Sequence, residues 1–263
     1  MERSPIAVVA LAVLLVTAGC NGPALGGDGG GDPADSEAAN SVPGVENGQV
    51  TNATALLAAH DRALVESGFE TDVRVNATVV QQDQVVEVQR RQQTVVEPGR
   101  SEFQYRTVNG QNSSFIQFDH WGNESVWVVR GRLGDTTRYQ VRDQQVPTER
   151  LTGTALLRNY INVSNATAVN VSEEGDLTLV TFETTTLPSS RDGLPANGSN
   201  VRDYRARFVV DTEGRVHGLV VEGTYDLRGE ARTFDVTYSL QRLDSPTVER
   251  PDWVGAALAN SST

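Results

Sequence analysis

The sequence predicts an α+β domain: a curved antiparallel sheet of about eleven strands, an unclosed half-barrel, with two helices packed on its concave face. Three observations predict it. Between Phe69 and Leu243 apolar and polar residues alternate in segments bounded by Gly, Pro and Asn turns. Only two segments carry helical spacing instead. Strand follows strand directly, without the strand–helix–strand order that parallel sheets need.

The first helix starts from a cap at Thr51 or Asn52 and runs to about Glu66, with Ser67-Gly68 as its stop. Leu56, Leu57, His60 and Leu64 fall on one face. After Gly68 the period becomes two: Phe69, Thr71, Val73, Val75, Ala77 and Val79 alternate with polar partners in one long half-buried strand. Similar strands are expected at 85–96, 101–108, 114–120, 125–130 and 136–142, separated by turns such as Pro98-Gly99 and Asn109-Gly110. A second helix, capped by Thr148, is expected over 148–161, with Leu151, Ala155, Leu156 and Tyr160 on one side and Gly153 as its weak point. Strands resume at 166–172, 176–186, 202–211, 215–226 and 231–243. The polar loop 187–200 between them has the length of a flap.

Different sequence brackets this domain. Residues 1–19 carry one Arg, an apolar run too short to span a bilayer, and small residues at the end: a signal peptide closing on Thr17-Ala18-Gly19. Cys20, the single cysteine, follows directly and matches a lipobox, apart from Thr17 where Leu or Val is usual. The expectation is a lipidated Cys20 that holds the protein on the extracytoplasmic face of the membrane, the alternative being ordinary secretion with an incidental cysteine. Residues 20–50 read as a disordered, acidic, Gly-rich tether, 51–257 as one domain, and 258–263 as a disordered tail.

All 22 basic residues are Arg, set against 34 Asp and Glu, for a net charge of −12. Self-repulsion of that size is screened in concentrated salt, and a Lys-free acidic chain points to a halophile. It also excludes nucleic acid as a partner, since the nearest basic cluster is Arg90-Arg91 in a Gln-rich strand. Asn-x-Ser/Thr sequons are more frequent than chance, and an exported chain can carry glycans at Asn76, Asn112, Asn123, Asn162, Asn165, Asn170 and Asn197. Those at 162, 165 and 170 are the favoured sites, because they crowd one polar connection.

Several motifs carry a resemblance. The lipobox leader, Ser67-Gly68-Phe69 after the first helix, the hairpin Val209 to Val216 and the closing Pro251-Asp252-Trp253 resemble haloarchaeal surface lipoproteins of unknown function. By element order alone, the domain is similar to bacterial lipoprotein carriers and the mycobacterial LppX-like lipoproteins. That likeness implies an unclosed barrel with helices over an apolar pocket.

No catalytic constellation is visible. His60 lies on the apolar face of a helix, His217 alternates into a strand face that reads as core, and Asp119 cannot share a strand face with His120. Glu173-Glu174-Gly175-Asp176 lacks calcium-loop spacing, so no metal or cofactor is expected. Candidate lining for an apolar pocket is Phe103, Tyr105, Phe118, Trp127, Phe208, Gly223 and Phe234, which the default reading packs as core. Two functions remain open: a non-catalytic lipoprotein that binds or carries a lipid or other apolar ligand, and an envelope glycoprotein that contacts another envelope protein.

Overall fold

A computed structural model describes residues 33–161, 166–188 and 193–261. Cys20, Asn162 and Asn165 lie outside the described residues. The described chain opens with helix α1 (Pro33–Ser41) and two short strands, β1 (Val45–Glu46) and β2 (Gln49–Val50), before helix α2 (Ala53–Ser67). Strands β3 (Phe69–Gln81), β4 (Gln84–Val96), β5 (Glu102–Gln111), β6 (Ser114–Asn123), β7 (Trp127–Leu133) and β8 (Thr136–Arg142) follow as a meander. Helices α3 (Thr148–Leu151) and α4 (Thr154–Ile161) interrupt it, and β9 (Thr167–Glu174), β10 (Leu177–Thr184), β11 (Ser199–Asp211), β12 (Val216–Leu227) and β13 (Glu230–Leu243) complete the strands. Helix α5 (Trp253–Ser261) closes the described chain.

All thirteen strands belong to one unclosed antiparallel sheet, in the order β1-β2-β9-β10-β11-β12-β13-β3-β4-β5-β6-β7-β8. The eleven long strands coincide with the eleven expected ones; the two additional strands are the two-residue pair ahead of α2. Strand β13 returns to pair with β3, joining the two meanders through Val236–Val75 and Tyr238–Val73.

Three expectations about the helices and ends are corrected. Residues 33–50 are not all tether: Ala39, Val42, Val45 and Val50 are buried against the main core. Their apolar side chains are few and widely spaced, so local composition hides them. Residues 258–261 belong to α5, whose Val254 and Ala257 pack with Trp121 and Val128 on the sheet. The second helix is broken in two at Gly153, where φ is +84° and a Cβ would stand 2.7 Å from the Tyr238 ring. A positive φ ends an α-helix, and only glycine admits the ring so close.

Helix α2 is capped as expected: the Asn52 side chain accepts a bond from Ala55 N at 3.0 Å. Gly68 takes φ +72° and returns its N–H to Leu64 O at 2.9 Å, turning the chain into β3 with Phe69 fully buried. Leu56 and Leu57 of α2 enter the core over β10–β13, whereas Leu64 enters a second core with Phe103, Tyr105, Trp127 and Leu151. The face of the sheet that meets α1–α4 is its inner face; α5 packs on the outer one.

Candidate functional site

Strand alternation places Arg90, Gln92 and Thr94 of β4 on the inner face, beside Thr107 and Tyr105 of β5, Phe118 and His120 of β6, Val129 and Trp127 of β7, and Gln140 and Arg142 of β8. Among the described residues no helix covers this row completely. A cleft of about 270 Å³ is left, walled by those residues and by Arg150 at the end of α3. A second lobe of about 290 Å³ runs under α3 and α4 against Val73 and Val75, and it shares Arg90, Gln92 and Arg150 with the first. Gln92 fixes the edge by donating to the Arg150 carbonyl at 3.0 Å.

The floor is aromatic. Tyr105 and His120 stack with centroids 3.8 Å apart, and Trp127 Nε1 donates to His120 Nδ1 at 3.1 Å. With Nδ1 accepting, the imidazole proton sits on Nε2. Burial, then the positive charges of Arg150 and Arg142, lower the His120 pKa to about 3, so the ring is neutral. The Arg142 guanidinium lies 4.3 Å above the Trp127 ring, a cation–π contact that holds it over the cleft. Burial raises the Tyr105 phenol above its usual range, against hydrogen bonding and charge from Arg150.

From Phe118 an apolar track continues outward. Gln117 pairs with Arg132, so Ile116 and Leu133 stand one step further along the β6–β7 ladder. Both are exposed, Leu133 at 57%.

The candidate pocket residues therefore divide. Tyr105, Phe118 and Trp127 wall the cleft, and Phe103 is buried beneath it in the same core. Phe208, Gly223 and Phe234 do not reach it. Phe208 stacks on Phe182 at 5.3 Å inside the filled core over β10–β13. The space expected at Gly223 is occupied, since a Cβ there would lie 2.6 Å from Phe234 Cε1. Arg90, Arg142, Arg150 and Gln140 were not anticipated, although the alternation of β4 already turns Arg90 away from Arg91.

The other two histidines serve the fold. His60 is fully buried, accepts from Val216 N at 3.0 Å through Nδ1, and places Nε2 3.3 Å from Thr152 O. Desolvation lowers its pKa to about 4, against the raising effect of the Thr152 carbonyl. Its neighbour Asp61 takes bonds from the Thr152 and Thr154 hydroxyls, so α2 clamps the α3–α4 break. His217 is not core filling: a register shift at Val209–Val210 frees it from the ladder, and Nε2 meets Asp211 Oδ2 at 2.8 Å. Asp211 also accepts from Glu213 N, Arg215 N and Arg215 Nε, which stitches the expected hairpin shut. Burial alone would raise that carboxyl; the bonds from His217 and Arg215 outweigh it and hold it below the usual range. Among the described residues no cluster of three His, Asp or Glu side chains is arranged for a metal ion.

The described sequon asparagines are placed unequally. Asn76 sits within β3, half-buried and donating to Asp235 Oδ2 at 2.8 Å, while Asn123 accepts from Ser125 N and Val126 N. Asn112 and Asn197 are exposed at turns with φ of 51° and 64°. Asn170 is exposed on β9 and not in the connection where it was expected. The loop at 187–200 is anchored where described: Tyr160 donates to Gly193 O at 2.7 Å, and Leu194 packs on the core.

Comparison with known proteins places the chain in a family. Residues 5–257 match the model of a family of unknown function, DUF7537, and the chain belongs to that family. No match is found among curated proteins. Solved structures with some likeness include a LolA superfamily protein from Nitrosomonas europaea, at 11% identity and a TM-score of 0.27, covering 77% of this chain and 96% of that one. Another is a putative outer membrane lipoprotein-sorting protein domain from Vibrio parahaemolyticus, at 9% identity and 0.26, covering 79% and 99%. A DUF1329 family protein from Desulfovibrio piger stands at 9% and 0.28, covering 76% and 96%.

Proposed function

We propose that this protein is an exported, membrane-anchored, non-catalytic lipoprotein of a halophile, which binds a lipid or other molecule with a large apolar part on the inner face of its sheet. The observation that carries the reading is the two-lobed cleft, whose lobes of about 290 and 270 Å³ together have the size of a small-molecule site. Its floor of Tyr105, Phe118 and Trp127 leads into the exposed track of Ile116 and Leu133, a path on which a hydrocarbon chain loses water. Each buried methylene contributes about 0.8 kcal/mol, so a short chain on this path binds without a catalytic group.

The anchor belongs to the same proposal. Lipidation of Cys20 holds the domain at the membrane surface, where such ligands are found. Cys20→Ser is expected to move the protein from membranes into the medium; unchanged membrane retention would remove the anchor. For the ligand, protein purified from its native envelope is expected to release an acyl or isoprenoid compound on solvent extraction, detected by mass spectrometry. Extracts without one, from protein whose cleft also fails to take up added lipid, would leave the second reading.

That second reading, an envelope interaction protein, has its own observation. Val85, Phe115 and Leu133 are exposed by 41%, 54% and 57% near the turns that join β3–β4, β5–β6 and β7–β8. Antiparallel pairing brings these turns to one end of the sheet, where Val85 and Phe115 stand on the outer face and Leu133 on the inner. Val85→Ser with Phe115→Ser should abolish co-purification of an envelope partner if this outer-face end is the functional surface, and should leave it unchanged if the cleft is.

A further inference from the structure

The same strands treat their arginines differently on their two faces. On the outer face every arginine of the central ladder has a carboxylate. Arg74 and Arg91 pair with Asp72 at 2.9 and 2.7 Å, and Arg106, Arg130 and Arg132 surround buried Asp119 at 2.8, 2.9 and 3.4 Å. Burial would raise Asp119, but bonds from Arg106, Gln117 and Arg130 outweigh it and hold the carboxyl below its usual range. On the inner face three arginines, Arg90, Arg142 and Arg150, converge on one cleft. Among the described residues no carboxylate forms an ion pair with any of them, in a chain with 34 acidic residues and 22 arginines. Glu149, which lies on the adjoining lobe, is engaged by Arg158 at 2.9 Å.

The remaining polar groups of the cleft point the same way. The Tyr105 hydroxyl is buried and meets no acceptor among the described residues, while the Arg150 guanidinium beside it is a donor only. His120, with Nδ1 occupied by Trp127, can offer only the N–H of Nε2. Arg142 is positioned by the Trp127 ring on one side and by Gln140 Oε1, which accepts from it at 2.9 Å. Three guanidinium groups, a buried phenol proton and an imidazole N–H form a set with donors in excess. A buried hydroxyl without an acceptor costs free energy that an anionic oxygen would recover. Guanidinium groups bind phosphate and carboxylate oxygens through paired N–H donors.

We infer that the cleft recognises an anionic head group, a phosphate or carboxylate, held by Arg90, Arg142, Arg150 and the Tyr105 hydroxyl. This rests on the proposal that the cleft is a ligand site, and it adds the head-group chemistry to the apolar path. The head group sits at the inner end, between Arg150 and Trp127, and its chain leaves over Phe118 toward Ile116 and Leu133. The outer-face arginines of β3–β7 are already neutralised, so over these strands the recognition is confined to the inner side of the sheet.

The test is a tryptophan-fluorescence titration of the full chain in a non-ionic detergent with three probes: dihexanoyl phosphatidic acid, dihexanoylglycerol and inorganic phosphate. The expected result is binding of the phosphatidic acid at least tenfold tighter than of the uncharged glycerolipid. That advantage should fall at least tenfold in Arg142→Gln and in Arg150→Gln, and persist in Arg207→Gln, an exposed arginine of β11. Thermal unfolding of the variants should match the parent, which separates lost recognition from lost fold. Equal affinity for the two glycerolipids would overturn the anionic inference and leave the apolar-ligand reading standing. Phosphate binding as tightly as the phosphatidic acid would support the anion site and overturn the apolar path. Binding of none of the three would overturn both.

Discussion

Between β9 and β13 the sheet buries its inner face under α1, α2 and α4, whereas between β5 and β8 it buries part of its outer face under α5 and leaves the inner face partly open. Both halves are antiparallel meanders with the same apolar alternation. In the first, Phe182, Phe208, Tyr225, Phe234 and Tyr238 fill the space to the helices, and ring meets ring at 5.3 Å for Phe182–Phe208 and 5.9 Å for Tyr225–Phe234. In the second, the broken helix stops short, and arginines line the gap. The difference teaches that strand alternation selects a face, while the cover that makes it core or cleft comes from elements distant in the chain.

The largest expected effect separates a filled position from an open one. Phe208→Ala should cost about 3–5 kcal/mol, the range for an enclosed aromatic side chain whose neighbours cannot collapse. Phe118→Ala, half-buried at the cleft wall, should cost about 1 kcal/mol, near the average single substitution. Urea denaturation of both variants measures the pair. Equal losses would mean that the cleft is packed as tightly as the core.

Acid offers a second contrast. His60 and His120 are neutral in the fold, with pKa values lowered to about 4 and about 3. The unfolded chain takes up these protons near the reference value of about 6.5. Stability from the neutral rings is therefore complete above that value and is lost as pH falls through the window toward 4 and 3. For enclosed His60 the loss amounts to roughly 3 kcal/mol. Unfolding midpoints taken from pH 7 to pH 4 should fall accordingly, and His60→Gln should flatten that slope. A midpoint independent of pH over the window would contradict the burial of both rings. An NMR titration in which His120 protonates near 6.5 would show that the open half hydrates its floor more than the geometry implies.

The smallest effect compares two glycines. At Gly223 a Cβ would lie 2.6 Å from Phe234 Cε1, so Gly223→Ala should cost about 1–3 kcal/mol through overpacking. At Gly131 the nearest atom is Phe118 Cε1 at 3.2 Å, on a ring that can move into the cleft, and Gly131→Ala should cost less than about 0.5 kcal/mol. Thermal midpoints measure both. A costly Gly131→Ala would mean that the Phe118 ring is fixed. The same contact takes Gly223 out of the candidate pocket lining, because a larger residue there would displace core instead.

Much of this fold was legible locally. The eleven long strands follow from period-two alternation between turn residues, a property of each segment alone, and the Asn52 cap and Gly68 stop of α2 are equally local. The break at Gly153 was half legible: glycine weakens a helix anywhere, but only the approach of Tyr238 makes it obligatory. The burial of Val42, Val45 and Val50 was hidden, because isolated valines in a polar stretch gain their worth from a core built elsewhere. Of the pocket residues, Tyr105, Phe118 and Trp127 were separable from Phe208 and Phe234 only once the helices were in place.

By itself the sequence determined what short-range chemistry can determine. It set which residues share a strand face, where turns and caps interrupt the chain, and that 22 arginines must live among 34 acids. It also set that Arg90 and Arg91 point to opposite faces of one strand. Only the tertiary structure decided which arginines are neutralised. Arg91 meets Asp72 from the neighbouring β3, and Arg90 meets Arg150 from a helix about sixty residues away, in a lobe whose walls hold no carboxylate. Charge pairing depends on distances of a few ångströms between elements remote in the chain, and Coulomb energy falls with that separation, not with distance along the sequence.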